Sequence, residues 1–311
     1  MSNNQGALKQ CSRDLKRDWQ MYLFLLVPVI YILIFAYVPM GGLQIAFRKY
    51  SARLGIWGSK WVGMANVNKF LNSYYFATTV KNTLSLSLYS TFFGFPLPIL
   101  MALTMNCIRN KKYRSLVQTI TTLPHFISVV VLVGIVFQLF NARYGMYGSF
   151  MKVFTGTYPE DPFATASNFP HFYIWSGIWQ QFGWNAIVYI AALSSVDPEQ
   201  HEAAIVEGAS RFQRVWYIDF PAILPTIVIM LILRMGNVMS IGFEKAYLMQ
   251  NDINLSYSEV ISTYVYKQGL ASSNADFSYA TAIDLFNSVI NLIMVSLTNF
   301  TANKLSHYSL W

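Results

Sequence analysis

Apolar residues fall along the chain in long blocks, and polar residues gather in the stretches between them. The spacing is not that of a helix with one buried face. Six blocks each reach the ~20 residues that cross ~30 Å of hydrocarbon as an α-helix. They cover residues 21–47, 79–104, 114–140, 171–193, 220–243 and 279–302. Prolines at 28, 39, 96, 98 and 225 sit inside or at the ends of these blocks, as membrane helices tolerate. The short connection 105–113 makes the second and third blocks a helical hairpin. The pattern predicts an all-α membrane protein: a segment 1–20, a six-helix domain 21–302 and a tail 303–311. No repeat, low-complexity tract or separate soluble domain interrupts it.

Composition agrees. The 311 residues are 54% hydrophobic and 12% charged, about half the charge usual in a soluble domain. Lys9, Arg13, Lys16 and Arg17 precede the first block, as in a signal peptide, but the apolar run continues past twenty residues without a small-residue cleavage site. It reads as a retained helix. The net charge of +8 sits in loops beside apolar spans, without a basic-aromatic module, so nucleic acid is not an expected partner. Cys11 and Cys107 lie beside basic segments, and no disulfide is expected. His125, His171, His201 and His307 share no ligand spacing, and no metal site is read.

Charge counting alone barely orients the chain. With the N-terminus inside, eleven Lys and Arg residues fall in cytoplasmic segments and ten outside, with Arg234 left within a span. The four basic residues before the first helix, and four more at the tight 105–113 turn, favour both termini in the cytoplasm of a plasma-membrane protein. Loop 48–78 opposes the trend with five basic residues and no acid. It could attract an anionic, uronate-bearing oligosaccharide, dock an acidic binding-protein surface, or be topological noise.

Between the fourth and fifth blocks, residues 194–221 form a predicted cytoplasmic loop. Asp197-Pro198 reads as a helix start and Gly208 as its stop, which gives a surface helix of about ten residues, with re-entry into the membrane at Pro221. Ala203 and Ala204 permit close approach, and Glu202 offers a carboxylate to a partner cation. A short helix held by two membrane helices suits mechanical coupling; it also suits the plain closing of a loop.

Here the sequence resembles a known family. Glu202-Ala203-Ala204, then Gly208, Ile218 and Pro221 follow the EAA signature of ABC importer permeases, with Phe220 where the family usually has Leu. Val38-Pro39-Met40-Gly41-Gly42 and Leu123-Pro124-His125-Phe126-Ile127-Ser128 resemble the LplB-type branch, similar to the first permease of complex-oligosaccharide importers, including rhamnogalacturonan and alginate systems. Gly236-Asn237, Thr263-Tyr264-Val265-Tyr266 and Ser278-Tyr279-Ala280-Thr281-Ala282 continue the likeness. The resemblance implies the six-helix fold of type I importers (MalF/MalG-like) and coupling to ATPases through Glu202, Ala203, Ala204, Gly208, Ile218 and Pro221. It implies a second, homologous permease, two ATPase subunits and an extracytoplasmic solute-binding protein. The chain has no Gly-x-x-x-x-Gly-Lys-Ser/Thr loop, so MgATP belongs to the partner ATPases and no cofactor is expected here.

Polar residues inside spans are the candidates for the sugar path. Arg234 in the fifth span and Asp284 in the sixth reach similar depth. They are expected either to pair, locking two helices, or to leave Arg234 lining the path. Trp175, Trp179, Gln180, Gln181, Trp184 and Asn185 mix amides and aromatics along the fourth span, as a carbohydrate cavity requires; the aromatics equally suit interface anchors. Asn237, Asn287 and Asn291 either join the path or bridge helices.

Three rivals stand beside the oligosaccharide importer: a permease for a non-sugar solute, an intramembrane enzyme and a channel. No convergent nucleophile and base are visible, and no filter-like loop.

Overall fold

The computed structural model describes residues 17–306 and 309–310. Lys9, Cys11, Arg13, Lys16 and His307, named above, lie outside the described residues.

The first apolar block is a 29-residue helical run, Trp19–Phe47. It comprises α1 (Trp19–Ile32), a π-turn at Leu33–Tyr37, a turn at Val38–Met40 and a 3₁₀ segment, Gly41–Phe47. Pro39 has no N–H for the carbonyl four residues back, and the helix widens just before it. No residue from Trp19 to Met40 is buried. The chain then folds a two-stranded ribbon, β1 (Arg48–Lys49) antiparallel to β2 (Lys60–Trp61), with Lys49 opposite Lys60.

The second block is α2 (Tyr74–Gly94) continued by α3 (Pro96–Asn106), one run of 33 residues. The third differs from the straight span expected over 114–140. It divides into α4 (Lys111–Thr122), a 3₁₀ turn at Leu123–Phe126, and α5 (Val129–Leu139), with a 101° bend between its two parts. Pro124 removes a backbone donor, and Ser128 starts a new helix by accepting from the Val131 N–H at 3.3 Å.

The fourth block is α6 (Phe169–Leu193), 25 residues long, with Gln180, Gln181 and Asn185 near its middle. Next come α7 (Pro198–Val206), a capped turn at Arg211–Arg214 and a π-turn at Val215–Asp219 that runs into α8 (Phe220–Met235). The fifth span therefore covers Arg211–Met235, not 220–243, and the helical run begins well before Pro221. Pro221 brings no N–H to the first turn of α8, and the π-turn carries the helix through that gap. Helix α9 (Phe243–Met249) is short, and α10 (Phe277–Ser306) forms the sixth block.

Four of these runs are long and apolar enough to cross a membrane, and a fifth joins them if the bent α4–α5 pair is one span. Helix α6 has the length, but its amides hold it below that apolarity.

Helix α6 is the hub. Ala102 on α3 and Ala186 on α6 are fully buried where these helices pack, as small residues allow. Leu86, Leu132, Ile174 and Ala246 join α2, α5, α6 and α9 in a second cluster. A third, around Phe70, Met239, Ile261 and Ile283, closes the end next to the ribbon.

Candidate functional site

The loop 194–221 is built from caps. Asp197 Oδ1 accepts from the Glu199 N–H at 3.0 Å and starts α7. The helix ends in a Schellman motif: Ala209 N–H reaches Ala204 O at 2.9 Å and Gly208 N–H reaches Ile205 O at 3.0 Å. Gly208 sits at φ +83°, a conformation in which a side chain is strained even though nothing lies within 4 Å of its Cβ position. Ser210 and Gln213 then form a capping box.

On α7, Glu202 and Ala203 are exposed, Ala204 is half-buried, and Val206 is 88% exposed. Ile218 is half-buried and Pro221 exposed at the base. The helix is thus a convex projection with uncovered apolar groups. One link ties it to the bundle: His201 Nε2 lies 3.1 Å from Asp219 Oδ1, which also accepts from Asn106 Nδ2 at 3.0 Å. The Asp219 side chain is 3% exposed. Sequence reasoning gave no role to either: His201 stands just before the signature and Asp219 inside it, between Ile218 and Pro221, and no linear spacing pairs them.

Within the membrane, α2, α6 and α8 enclose a cavity of about 420 Å³. Arg234, Asn237, Asn185, Tyr189, Ser90 and Thr91 are among its lining residues. Arg234 does not pair with Asp284. Its Nη2 donates to Ser90 Oγ at 2.8 Å and its Nε to Thr91 Oγ1 at 3.0 Å. Because α8 stops at Met235, the guanidinium lies in the last turn and crosses to α2, while Asp284 is exposed on α10 and lines neither cavity.

A second cavity of about 300 Å³ shares Ser90, Asn185 and Arg234 with the first and adds Gln180, Gln181 and Lys245. Lys245, counted above as an outer-loop charge, is 8% exposed. Its Nζ donates to Tyr173 O at 2.6 Å and lies 4.8 Å from the Tyr173 ring centre. Gly177 makes the room: a Cβ there would stand 2.9 Å from the ammonium. The signal in the sequence is the short apolar face of α9, where Ala246 and Met249 are buried beside it. Among the described residues, Arg234 and Lys245 are the charged ones lining the two cavities, and no carboxylate lines either.

The other fourth-span candidates divide. Gln180 Nε2 donates to Ile127 O at 2.7 Å, and Gln181 Oε1 meets His125 Nδ1 at 2.9 Å. Trp184 stacks on His125 with ring centres 4.1 Å apart. All three grip the bend between α4 and α5. Trp175 donates to Tyr89 Oη at 3.0 Å, and Trp179 is 46% exposed. Asn291 accepts from Met239 N–H at 2.9 Å and donates to Ser240 Oγ at 2.9 Å, which secures the chain just beyond α8. Asn287 is buried, with its Oδ1 unpartnered. In loop 48–78, Arg48 donates to Ser59 O at 2.9 Å and Lys69 pairs with Asp276 at 2.9 Å, so two of the five cations are held internally.

Residues 94–307 match the model of a family described as binding-protein-dependent transport system inner membrane component. Protein LplB of Bacillus subtilis (strain 168) is 39% identical over 297 residues, which cover 96% of this chain and 92% of that protein. The polygalacturonan/rhamnogalacturonan transport system permease protein YteP of the same organism is 39% identical over 284 residues, 91% and 88% of the two chains. Among solved structures, a bacterial ABC transporter involved in the import of the acidic polysaccharide alginate matches with TM-score 0.86 and 37% identity over 96% of this chain and 99% of that one. The bacterial alginate ABC transporter in complex with alginate pentasaccharide-bound periplasmic protein matches to the same extent, with TM-score 0.86.

Proposed function

The chain belongs to the binding-protein-dependent transport system inner membrane component family, and on that premise we propose that it forms half of an alternating-access path for a uronate-bearing oligosaccharide. It is a permease subunit of an ABC importer, not an enzyme. The observation that carries the substrate class is the pair of cavities whose charged lining residues are Arg234 and Lys245. Hydroxyls of Ser90 and Thr91 take two of the five N–H donors of Arg234. The rest of this planar fork matches a carboxylate. Two relatives support the class: one named for polygalacturonan and rhamnogalacturonan, the other importing alginate.

Both termini and the loop 194–221 lie in the cytoplasm on this reading. Glu202, Ala203, Ala204 and the Gly208 stop form the element that enters a groove of an ATPase subunit. MgATP, held by two such ATPases, biases the path between outward-open and inward-open by binding the two states unequally. A solute-binding protein delivers the sugar. A second permease completes the path and covers the uncovered helix from Trp19 to Met40.

The test is uptake by the reconstituted importer carrying Arg234→Gln, with uronate and neutral oligosaccharides of equal length. Uronate uptake should fall roughly tenfold, about 1.4 kcal/mol of lost interaction, with neutral uptake little changed. Equal effects on both sugars would remove the acidic-substrate reading.

A further inference from the structure

Behind the coupling helix lies a cleft of about 460 Å³. Its floor is where three membrane helices end or begin: Asn106 at the end of α3, Leu193 at the end of α6 and Asp219 before α8. Four arginines line it: Arg109, Arg114, Arg211 and Arg214. Its two carboxylates, Glu202 and Asp219, cannot balance four cations. Asp219 is taken by His201 and Asn106, and no ion pair among the described residues involves Glu202 or any of the four arginines. Arg214 Nε is buried without an acceptor. Four clustered guanidinium groups with an orphaned buried donor call for an anion with several oxygens.

The surroundings select its source. Trp216 is 54% and Tyr217 74% exposed on the π-turn beside Arg214, while Tyr113 and Leu116 flank Arg114 at 56% and 57%. Exposed aromatic rings next to cations, at the level where apolar helices leave the bilayer, are the signature of the headgroup region. Of the residues assigned to the ATPase groove, Glu202 lines the cleft, while Ala203, Ala204 and Gly208, like the exposed Val206, lie outside its lining, so an ATPase seated on α7 leaves most of this concave site open to a small group.

We propose that this cleft binds the phosphate of an anionic phospholipid headgroup from the cytoplasmic leaflet, which bridges the coupling helix to the turn 107–110. The site rests on the cytoplasmic placement of the loop proposed above. Retention of the ATPases by Gly208→Val on purification would count against that placement, and it is read separately from lipid retention in the arginine variants.

The experiment is native mass spectrometry of the assembled, delipidated importer, titrated with phosphatidylglycerol or phosphatidylcholine. Phosphatidylglycerol should be retained in preference. Retention should weaken about 30-fold in Arg114→Gln/Arg211→Gln and about fivefold in the milder Arg109→Gln, at about a factor of five per cation. Lys111→Gln/Lys112→Gln, on the same turn but outside the cleft, should retain the lipid normally, and excess inorganic phosphate should not displace it. Equal retention of the two lipids, or unchanged retention in both arginine variants, would overturn the proposal. So would displacement by inorganic phosphate, which marks a free-anion site, or loss of the ATPases with lipid retention intact, which assigns the arginines to the ATPase.

Discussion

His201 on α7 and Asp219 at the foot of α8 meet at 3.1 Å, although seventeen residues separate them along the chain. The contact makes the projecting helix and the membrane helix one mechanical piece, with Asn106 extending it to α3. A hydrogen bond to a charged group contributes about 1.5–3 kcal/mol. His201→Ala should therefore lower the seated population of α7 roughly 10- to 100-fold relative to its displaced form. The expected result is fewer substrates moved per ATP hydrolysed, with assembly kept. An unchanged transport-to-ATP ratio would show that the loop is held by its caps alone.

Gly208 gives a sharper test, because space and conformation separate there. Its Cβ position is open, so Gly208→Val suffers only the left-handed backbone strain, about 1–2 kcal/mol. Gly208→Asn, a residue that tolerates this conformation, should behave nearly as wild type. Co-purification of the ATPase subunits is expected to weaken with Val and persist with Asn.

Gln180 and Trp179 are neighbours with different expected outcomes. Gln180→Leu leaves the Ile127 carbonyl unpaired at the α4–α5 bend, so the melting temperature of the complex should fall in line with a loss of about 1–3 kcal/mol. Trp179 is half exposed, and Trp179→Leu should stay within about 0.5 kcal/mol. Substrate affinity, not stability, is the readout for Trp179.

Asp276 supplies a pH dependence. Burial alone would raise its pKa, but the Lys69 ammonium and the Tyr279 and Ser278 N–H groups outweigh burial and hold it below 3.8. A carboxyl lowered on folding stabilises the protein above its unfolded pKa and loses that contribution as pH falls through the folded value. Thermal stability should therefore decline below about pH 4, and less so in Asp276→Asn. Half-exposed as the pair is, the effect should be small.

The membrane class and the short helix stopped by Gly208 were legible because length, apolarity and cap chemistry are local, whereas four of the six blocks, or five with the bent pair, are long and apolar enough to cross a membrane. The bend at Leu123–Ser128 was not legible, because its prolyl and seryl signals sit inside one block of helix-spanning length whose polar residues, such as Gln118 and Thr122, were read as part of the span. The end of α8 was misplaced for a similar reason: Val238, Met239 and Ile241 continue the apolar pattern after the helix has stopped. Arg234 was singled out as a cation within a span, but its partners are hydroxyls 143 and 144 residues away. Ser90 and Thr91 carry no mark that distinguishes them from the other hydroxyls of α2. Lys245 escaped because a single cation between two spans reads as a loop charge until its carbonyl partner is known.

The bare helix from Trp19 to Met40 reaches into the life history of the protein. On the proposed reading, in which a second permease covers residues that this chain does not bury against itself, the effective stability of the chain depends on the supply of that partner. Synthesised in excess of that partner, it is an orphan that exposes a whole helix to membrane proteases. The ratio of the two products, more than the fold of either, then sets how many working importers a cell can hold.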